Sequence, residues 1–347
     1  MMRRALAGFF LVVVSVLGSA LSERSALAQS ANGPYANMPS TAPIGVRIPK
    51  YLDVPEGSKG PAIDPAKGYR TEKLGNGLYM VTDGAYQNMF LVYDRGVVMV
   101  DAPPGYAAKL LQAVAEVTKN PITHVIYTHS HVDHIAGVKS LGGTPIIIAQ
   151  EETKRLLKRA ADPNRPLPTV TFKDKYSLHV GDQSLELSYH GDGHEPGNIF
   201  VYAPAQKVLM VVDVVFPGWM PFRRWAVAHD VPGVFAQVEE IRKMDWQTFV
   251  GGHVSRTGTH ADVDLQAEFM QDVKAAASKA LASTKPGQGM DAKDVASNPW
   301  AVFDDYIDRV VIQCVDEVTP KWQHKLAAYD AFVWDQCYAM EQSLRID

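Results

Sequence analysis

Residues 128–134 read THSHVDH, so three histidines and an aspartate fall within six positions, directly after the apolar run ITHVIY. The apolar run is typical of a buried strand, and loops at strand ends often carry functional side chains. In a chain leaving an extended strand, alternate residues face the same way, so His129 and His131 can point at one ion. Asp133 and His134 follow half a turn later and can face a second ion. Imidazole and carboxylate ligands together favour zinc, and iron or manganese would also fit.

Three later strand ends carry single side chains of types that bind metals. His194 lies in the turn HGDGHEPGN, Asp213 ends the strand predicted in VLMVVDVVF, and His253 follows a strand in FVGGHVSRTG. A lone histidine or aspartate at a strand end is usually only a polar cap. None of the three therefore indicates a metal site by itself, and their interpretation depends on their order along the chain.

The pattern along the chain predicts strands in two groups, each followed by helices. From about residue 75, short β-rich runs such as GLYMVTDG and GVVMVDA alternate with turn residues, and GYAAKLLQAVAEVTKN has the apolar spacing of a helix. YSLHVG/LELSYHG and NIFVYAP/KVLMVVD are typical of hairpins, IAGVKSLGG is predicted to be a short helix, and a long helix is predicted over about 260–283. We therefore expect an α/β fold in which two sheets pack face to face, with helices outside.

The N-terminus has the pattern of a secretory signal peptide. A positive head, MMRR, precedes the apolar run ALAGFFLVVVSVLGSAL, and a small-residue site ends at Ala28. We expect cleavage after Ala28 and a periplasmic or secreted protein. An uncleaved membrane anchor is the alternative, although the run is slightly short for a spanning helix. Residues 29–70 are predicted to form an extended arm, 71–283 the main domain and 284–347 a helical C-terminal extension.

Composition and cysteine use narrow the range of partners. The net charge of −4 and the pI near 6.3 give no basic bias toward nucleic acid or an anionic membrane, so a small-molecule substrate is expected. Cys314 and Cys337 could form one disulfide in an exported protein or remain two buried thiols. The aromatic tail around them is expected to pack mostly into the core, with a lid or a homodimer face as alternatives.

Taken in order, the motif His-x-His-x-Asp-His followed by a single His, Asp and His resembles the metallo-β-lactamase superfamily of hydrolases, over roughly residues 75–260. The resemblance implies a four-layer αβ/βα sandwich with two zinc ions per chain at one edge of the two β-sheets. It assigns His129, His131 and His194 to one ion, Asp133, His134 and His253 to the other, Asp213 to a bridge between them, and Asp101 to bracing the histidine loop.

The chemistry that the resemblance implies is metal-dependent hydrolysis. Two divalent ions about 3.5–4 Å apart can share one water, lower its pKa toward about 7, and make hydroxide available to attack a carbonyl or phosphoryl centre. Asp133 is placed to orient that nucleophile and to take its proton. True β-lactamases of the superfamily usually have Cys or Ser where this chain has Asp213. The sequence therefore favours an exported dinuclear zinc hydrolase that cleaves an ester, lactone or amide.

Several alternatives would use the same residues. A phosphoester, phosphotriester or sulfate ester hydrolase, or a β-lactamase, would need the same metal site. A non-catalytic metal-binding module is a different class, and the complete set of ligand residues argues against it. A redox relative with a single iron is a further alternative, which metal analysis would separate from a dinuclear hydrolase.

The stretch FPGWMPFRRWAVAHD, residues 216–230, directly follows the aspartate assigned to the bridge. Its apolar and aromatic side chains could line a substrate pocket beside the metals, and its two arginines could meet a substrate carboxylate. Anchoring of this loop to the core or to a dimer partner is the alternative. The candidate pocket residues are Trp219, Met220, Phe222, Arg223, Arg224 and Trp225.

Overall fold

The computed structural model describes residues 51–347, so the predicted signal peptide and its cleavage site lie outside the described residues. The described part of the predicted arm includes a short 3₁₀-helix, Glu56–Ser58. The Ser58 hydroxyl donates to the Gly218 carbonyl at 2.6 Å, and the Trp219 indole donates to the Ser58 carbonyl at 2.8 Å. This part of the arm therefore packs on the loop that was predicted to form the substrate pocket.

Seven strands form the first β-sheet, and their order in the sheet is their order along the chain. The first four strands make an antiparallel meander, and the fourth to the seventh run parallel to one another. Gly77 has a φ of 69° in the turn between the first two strands, a left-handed conformation that glycine adopts readily. The strands are β1 (Arg70–Lys73), β2 (Leu78–Thr82), β3 (Gln87–Tyr93), β4 (Gly96–Val100), β5 (Ile122–Ile126), β6 (Ile146–Gln150) and β7 (Val170–Phe172).

Five strands form the second β-sheet, and each lies beside the strands that precede and follow it along the chain. Neighbouring strands are antiparallel except for the last pair along the chain, which is parallel. The two predicted hairpins are both present in this sheet. Its strands are β8 (Lys175–Val180), β9 (Gln183–Tyr189), β10 (Ile199–Ala203), β11 (Val208–Val211) and β12 (Thr248–Val250).

Alternate side chains of a strand point to opposite faces of its sheet, and this alternation builds the layers of the fold. In β3, Met89 and Leu91 lie in the apolar layer between the two sheets, whereas Phe90 belongs to the layer outside. In β11, Met210 lies between the sheets and Leu209 faces the helices that cover the second sheet. Burial on both faces explains why these runs are almost continuously apolar. The predicted αβ/βα sandwich is confirmed.

Helices cover the outer face of each sheet. The predicted long helix runs over His260–Ser283 and begins with a capping box formed by Thr259 and Asp262. The short helix predicted after the histidine motif is instead a 3₁₀ turn, Val138–Leu141, because glycines on both sides leave too few residues for an α-helix. The helices of the sandwich are α1 (Ala107–Val117), α2 (Val132–Ile135), α3 (Glu151–Ala160), α4 (Val231–Lys243) and α5 (His260–Ser283).

The chain ends in three helices, α6 (Ala292–Ser297), α7 (Pro299–Trp322) and α8 (Tyr329–Ile346), which we call the C-terminal extension. Buried side chains of α7 and α8 join those of α5 and the second sheet in one apolar cluster, so most of the tail is core, as predicted. A disulfide joins Cys314 to Cys337, which decides between the two states that the sequence left open. Within the described part of the chain, no helix is long and apolar enough to cross a membrane. The homodimer alternative stays a prediction.

Candidate metal centre

The residues assigned to the metals come together at one edge of the sandwich, because the strands that carry them end there. β4 and β5 are parallel, so Asp101 and His129, which follow these strands, lie at the same edge of the first sheet. β11 and β12 are also parallel, and Asp213 and His253 follow them at the edge of the second sheet. His194 lies in the loop between β9 and β10 and reaches the same place.

A first group of donor atoms belongs to His129, His131, His194 and Asp213, and these atoms lie within 4.8 Å of one another. The Nε2 atoms of His129 and His194 lie 3.5 Å and 3.2 Å from Asp213 Oδ2. His194 Nε2 is 3.0 Å from His131 Nδ1. Only His131 of the four is part-exposed, so the group converges on a point that is mostly enclosed by protein.

A second group contains Asp133, His134 and His253. His134 Nε2 lies 3.0 Å from His253 Nε2 and 3.5 Å from Asp133 Oδ2. Asp213 also reaches this group, since its Oδ2 is 3.2 Å from His134 Nε2 and its Oδ1 is 3.1 Å from His253 Nε2. The Asp213 carboxylate therefore stands between the two groups, in the place that the resemblance gave it.

The converging atoms fit divalent metal ions better than they satisfy one another. Within the described residues, the buried His129 Nε2 makes no hydrogen bond, and Asp213 Oδ1 makes none of suitable geometry despite lying 3.1 Å from His253 Nε2, although buried polar atoms normally make one. The Nε2 atoms of His134 and His253 face each other at 3.0 Å, an arrangement in which at most one carries a shared proton. Imidazole nitrogens and carboxylate oxygens with free lone pairs are the ligand set that zinc takes in proteins.

The electrostatics of the centre set the protonation states of its members. Burial and the neighbouring imidazoles lower the pKa of His129 well below its ordinary value, and they also lower the pKa of His131. Burial alone would lower the pKa of His134, but the surrounding carboxylates raise it to about 9. Burial would raise the pKa of Asp213, but three histidines hold it well below its usual range. His129 and His131 are therefore neutral and Asp213 is ionised at neutral pH, as metal binding requires.

Hydrogen bonds behind these residues fix their orientation. The Asp101 carboxylate accepts from the Thr128 N–H at 2.9 Å and from the Thr128 hydroxyl at 2.6 Å, which is the bracing contact that the resemblance implied. Burial raises the pKa of Asp101 to about 6. His253 Nδ1 lies 3.0 Å from the Ala85 carbonyl and can donate to it, which leaves Nε2 free to face the centre.

A second brace of the histidine loop was not predicted. The buried Glu195 accepts from the Ser130 N–H at 2.9 Å and from the Ser130 hydroxyl at 2.8 Å, between His129 and His131. Its Oε1 lies 3.4 Å from His131 Nε2. Arg165 donates to the Ser130 carbonyl at 2.6 Å. The only signal in the sequence was a glutamate directly after His194, which says nothing about a partner 65 residues away.

A cavity of about 550 Å³ opens over the two groups. Its floor carries donor atoms of both groups, and its walls carry mainly apolar side chains. Three of the six predicted pocket residues line it: Trp219, Met220 and Phe222. Met220 is buried, whereas the Phe222 side chain lies at the exposed rim.

The other three predicted pocket residues lie outside the cavity lining. Trp225 is 1% exposed and belongs to the core, which is the alternative that the sequence left open. Arg223 pairs with Asp335 at 3.0 Å, and the Arg224 guanidinium lies 5.3 Å from the centroid of the Tyr338 ring. The expectation that these arginines meet a substrate carboxylate stays a prediction; in this structure neither lines the cavity, and α8 supplies a partner for each.

Several residues of the cavity lining were missed by the sequence reasoning, and three of them lie in parts of the chain that it did not connect with the site. Ala328 and Phe332 come from the C-terminal extension, more than 100 residues after the ligand motifs. Tyr86 comes from the turn between β2 and β3; its ring centroid lies 4.9 Å from that of His253, and burial together with the nearby Asp133 carboxylate raises the pKa of its hydroxyl. The run DGAYQN identified a turn, but nothing in it indicated a tyrosine at the centre.

Comparison with known proteins gives a family and two kinds of relative. A family model described as the metallo-beta-lactamase superfamily matches residues 82–276. The chain is 27% identical over 219 residues to the 2,4-dinitroanisole O-demethylase subunit alpha of Nocardioides sp. (strain JS1661), over 58% of this chain and 65% of that protein. It therefore spans about two thirds of the length of that relative.

The chain is also 29% identical over 233 residues to the metallo-beta-lactamase type 2 of Elizabethkingia meningoseptica, over 59% of this chain and 88% of that protein. Among solved structures, a metallo-beta-lactamase from Pontibacter korlensis aligns with a TM-score of 0.50 at 20% identity. That alignment covers 58% of this chain and 99% of the other, and it supports the fold alone.

Proposed function

Because the chain belongs to the metallo-beta-lactamase superfamily of metal-dependent hydrolases, we propose that it is an exported dinuclear zinc enzyme that cleaves an ester, lactone or amide bond in a small molecule. One observation carries the proposal. Two groups of imidazole and carboxylate donors converge on the single carboxylate of Asp213, at the floor of a mainly apolar cavity. This is the arrangement that a hydrolase with two adjacent metal ions needs.

The residues would share the two ions as their grouping suggests. His129, His131 and His194 would hold one, Asp133, His134 and His253 would hold the other, and Asp213 would contact both. When bound, the ions would polarise the group under attack and lower the pKa of water to near neutrality, about 7.

Asp133 has the exposure that proton transfer requires. Its side chain is 48% exposed, whereas that of Asp213 is 7% exposed and surrounded by histidines. Asp133 lines the cavity, and its carboxylate lies 3.5 Å from His134 Nε2. Asp133 therefore orients the attacking water and takes its proton, and returns that proton to the leaving group.

The cavity supports direct attack on a small substrate. Its volume of about 550 Å³ lies in the range of small-ligand sites, which is about 300–1,000 Å³. Among residues 51–347, those that line it include neither serine nor cysteine, and both cysteines of the chain are bonded to each other. No covalent intermediate on the protein is therefore invoked.

Hydrolysis of β-lactams is the second candidate, and the similarity to the metallo-beta-lactamase type 2 of Elizabethkingia meningoseptica favours it. Asp213 argues for the first candidate, since a carboxylate stands here between the two donor groups where the β-lactamases of the superfamily usually have Cys or Ser. The similarity to the 2,4-dinitroanisole O-demethylase subunit alpha adds an aryl ether to the substrates that merit an assay.

Export is supported by two independent features. The N-terminal pattern is that of a signal peptide, and the Cys314–Cys337 disulfide is of a kind that persists in oxidising compartments. We propose a periplasmic or secreted protein that begins at Gln29 after cleavage. Edman sequencing of protein recovered from the periplasm of an expressing bacterium would check this, and an intact N-terminus would contradict it.

The proposed reaction is tested with the protein from Gln29, assayed with and without a chelator. The panel holds an acyl-homoserine lactone, an aryl ester, a chromogenic cephalosporin, an aryl phosphodiester, an aryl phosphotriester and 2,4-dinitroanisole. We expect chelator-sensitive turnover of the lactone or the ester and little of the cephalosporin. Chelator-sensitive turnover confined to the cephalosporin, the phosphate esters or the ether would contradict the proposed substrate class but would still agree with the proposed metal centre.

A further inference from the structure

The loop over the centre contains a left-handed turn, which we define as residues 224–227. Four consecutive non-glycine residues there, from Arg224 to Val227, have φ values between 53° and 60°. L-amino acids rarely form left-handed helical turns, because the Cβ atom then comes too close to the following carbonyl oxygen. Such a conformation persists only where surrounding contacts over-determine it.

The contacts that hold this turn come from α8. Gln336 is fully buried; its Nε2 donates to the carbonyls of Pro221 and Phe222 at 2.7 Å and 3.1 Å, and its Oε1 accepts from the Trp225 N–H at 2.6 Å. One side chain of the extension thus bonds to one backbone group within the turn and to two carbonyls just before it. Without Gln336 the Pro221 carbonyl and the Trp225 N–H would be buried and unpaired, which is costly, whereas the Phe222 carbonyl would keep its bond from the Ala226 N–H.

The turn decides which side chains face the centre. Ala226 and Val227 line the cavity, and Phe222 meets Phe332 of α8 in an edge-to-face contact with ring centroids 5.3 Å apart. The turn also carries Arg224 away from the cavity to the ring of Tyr338, while Arg223, just before it, pairs with α8. Within the described chain, the cavity lining contains no lysine or arginine.

From this arrangement we propose that the C-terminal extension is the specificity element of the site and that Gln336 is its positioning residue. The substrate group that lies against this wall is uncharged and apolar, because an anionic group there would lose its hydration and find no cationic partner. Phe332 contacts that group. The inference deepens the proposed hydrolase function and rests on it.

The first test compares two esters that differ only at the end of the acyl chain. Para-nitrophenyl hexanoate ends in a methyl group, and mono-para-nitrophenyl adipate ends in a carboxylate at the same place. We expect the zinc-loaded enzyme to prefer the hexanoate by about tenfold or more in kcat/KM. Phe332→Lys should reverse or abolish that preference, chiefly through KM. Trp300→Lys, on a side chain that is 80% exposed in the same extension, should leave it unchanged. Equal rates for the two esters in the wild type would overturn the inference and leave the hydrolase proposal standing.

The second test separates positioning from general stability. Gln336→Met keeps the volume of the side chain but removes all three hydrogen bonds. The loop at 221–227 should then be less firmly held, and the preference for the hexanoate should fall several-fold. Two zinc ions should still bind. Gln342→Met, on the same helix and outside the cavity lining, is the matched control. A lower melting temperature with an unchanged ester preference would show that Gln336 only stabilises the fold, and would overturn its positioning role.

A readout without turnover keeps the two proposals distinguishable. The neutral dye N-phenyl-1-naphthylamine and its sulfonate, 8-anilino-1-naphthalenesulfonate, share one ring skeleton and differ in charge. We expect the zinc-loaded protein to bind the neutral dye about tenfold more tightly, and Phe332→Lys to reduce that ratio. Such a result together with no ester turnover would support the apolar specificity of the cavity wall and would contradict the proposed ester hydrolase function. Equal affinities for the two dyes would overturn the proposal that this wall of the cavity selects uncharged groups.

Discussion

At the scale of single residues, the two aspartates at strand ends carry unusual backbone conformations. Asp101 and Asp213 have φ values of 57° and 64°, in the left-handed region that non-glycine residues seldom occupy. Such a residue costs on the order of 1 kcal/mol and is retained where its surroundings over-determine it. Here the conformation accompanies a carboxylate that points toward the histidines, so the strain lies at the residues that organise the centre.

Glu195 provides a prediction at this scale. Glu195→Gln keeps the size of the side chain but weakens the hydrogen bonds to Ser130, so the loop that carries His129 and His131 should be less well oriented. We expect zinc affinity to fall about tenfold or more, with little change in the unfolding free energy. Competition with a zinc indicator measures this. Glu186→Gln, an exposed change on β9, is the control, and equal affinities of the two variants would contradict the role of Glu195.

At the scale of elements, what the sequence predicted correctly rested on local signals. The apolar spacing of the long helix predicted 260–283, which agrees with α5, and short β-rich runs separated by turn residues predicted the strands of both sheets. The predicted ligands lie together because the parallel strands that precede several of them end at the same edge of their sheet. The left-handed turn at 224–227 was not predicted, because its residue types give no sign of that conformation. The pairing of Arg223 with Asp335 could not be predicted, because the two residues are 112 positions apart and only tertiary packing brings them together.

The start of α5 gives a pH-dependent prediction. Burial would raise the pKa of Asp262, but hydrogen bonds from Arg256 and Thr259 outweigh it and lower the pKa overall. A carboxyl whose pKa is lower in the folded state stabilises the fold above its unfolded pKa of about 4, and that contribution is lost as the pH falls further. Asp262→Asn should therefore cost about 1 kcal/mol or more at pH 7 and progressively less below pH 4.

Urea denaturation of the wild type and Asp262→Asn at neutral and acidic pH measures that difference. The gap in unfolding free energy between the two proteins should narrow on acidification. An equal gap at both pH values would show that the ion pair with Arg256 contributes nothing that depends on ionisation.

At the scale of the whole molecule, the arm and the C-terminal extension close around the same loop. The Leu52 N–H donates to Asp330 at 2.6 Å, Ser58 bonds to Gly218, and the Cys314–Cys337 disulfide ties α7 to α8 next to Gln336. The sandwich supplies the donor atoms, and the parts outside it supply much of the cavity wall. None of these long-range contacts has a local sequence signal, which is why the sequence predicted the extension mostly as core and left a lid or a homodimer face as alternatives.

The disulfide makes the anchoring of the extension measurable. Its cysteines are 23 residues apart, so a cross-link of this loop length stabilises the folded chain by about 3 kcal/mol. Replacement of both cysteines by alanine should lower the unfolding free energy by roughly that amount in urea denaturation. A reducing agent should destabilise the wild type similarly and leave the double variant unaffected. Equal stability of the oxidised wild type and the double variant would contradict this account.

The central claim is that Asp213 joins two metal sites into one centre, and the most direct measurement is the number of zinc ions bound per chain. Metal-free protein would be dialysed against a fixed concentration of free zinc, and the zinc bound per chain would be measured by inductively coupled plasma mass spectrometry. We predict two zinc ions for the wild type, and fewer than two with no turnover for Asp213→Ala. One ion or none in the wild type, or two ions with full turnover in Asp213→Ala, would contradict the account.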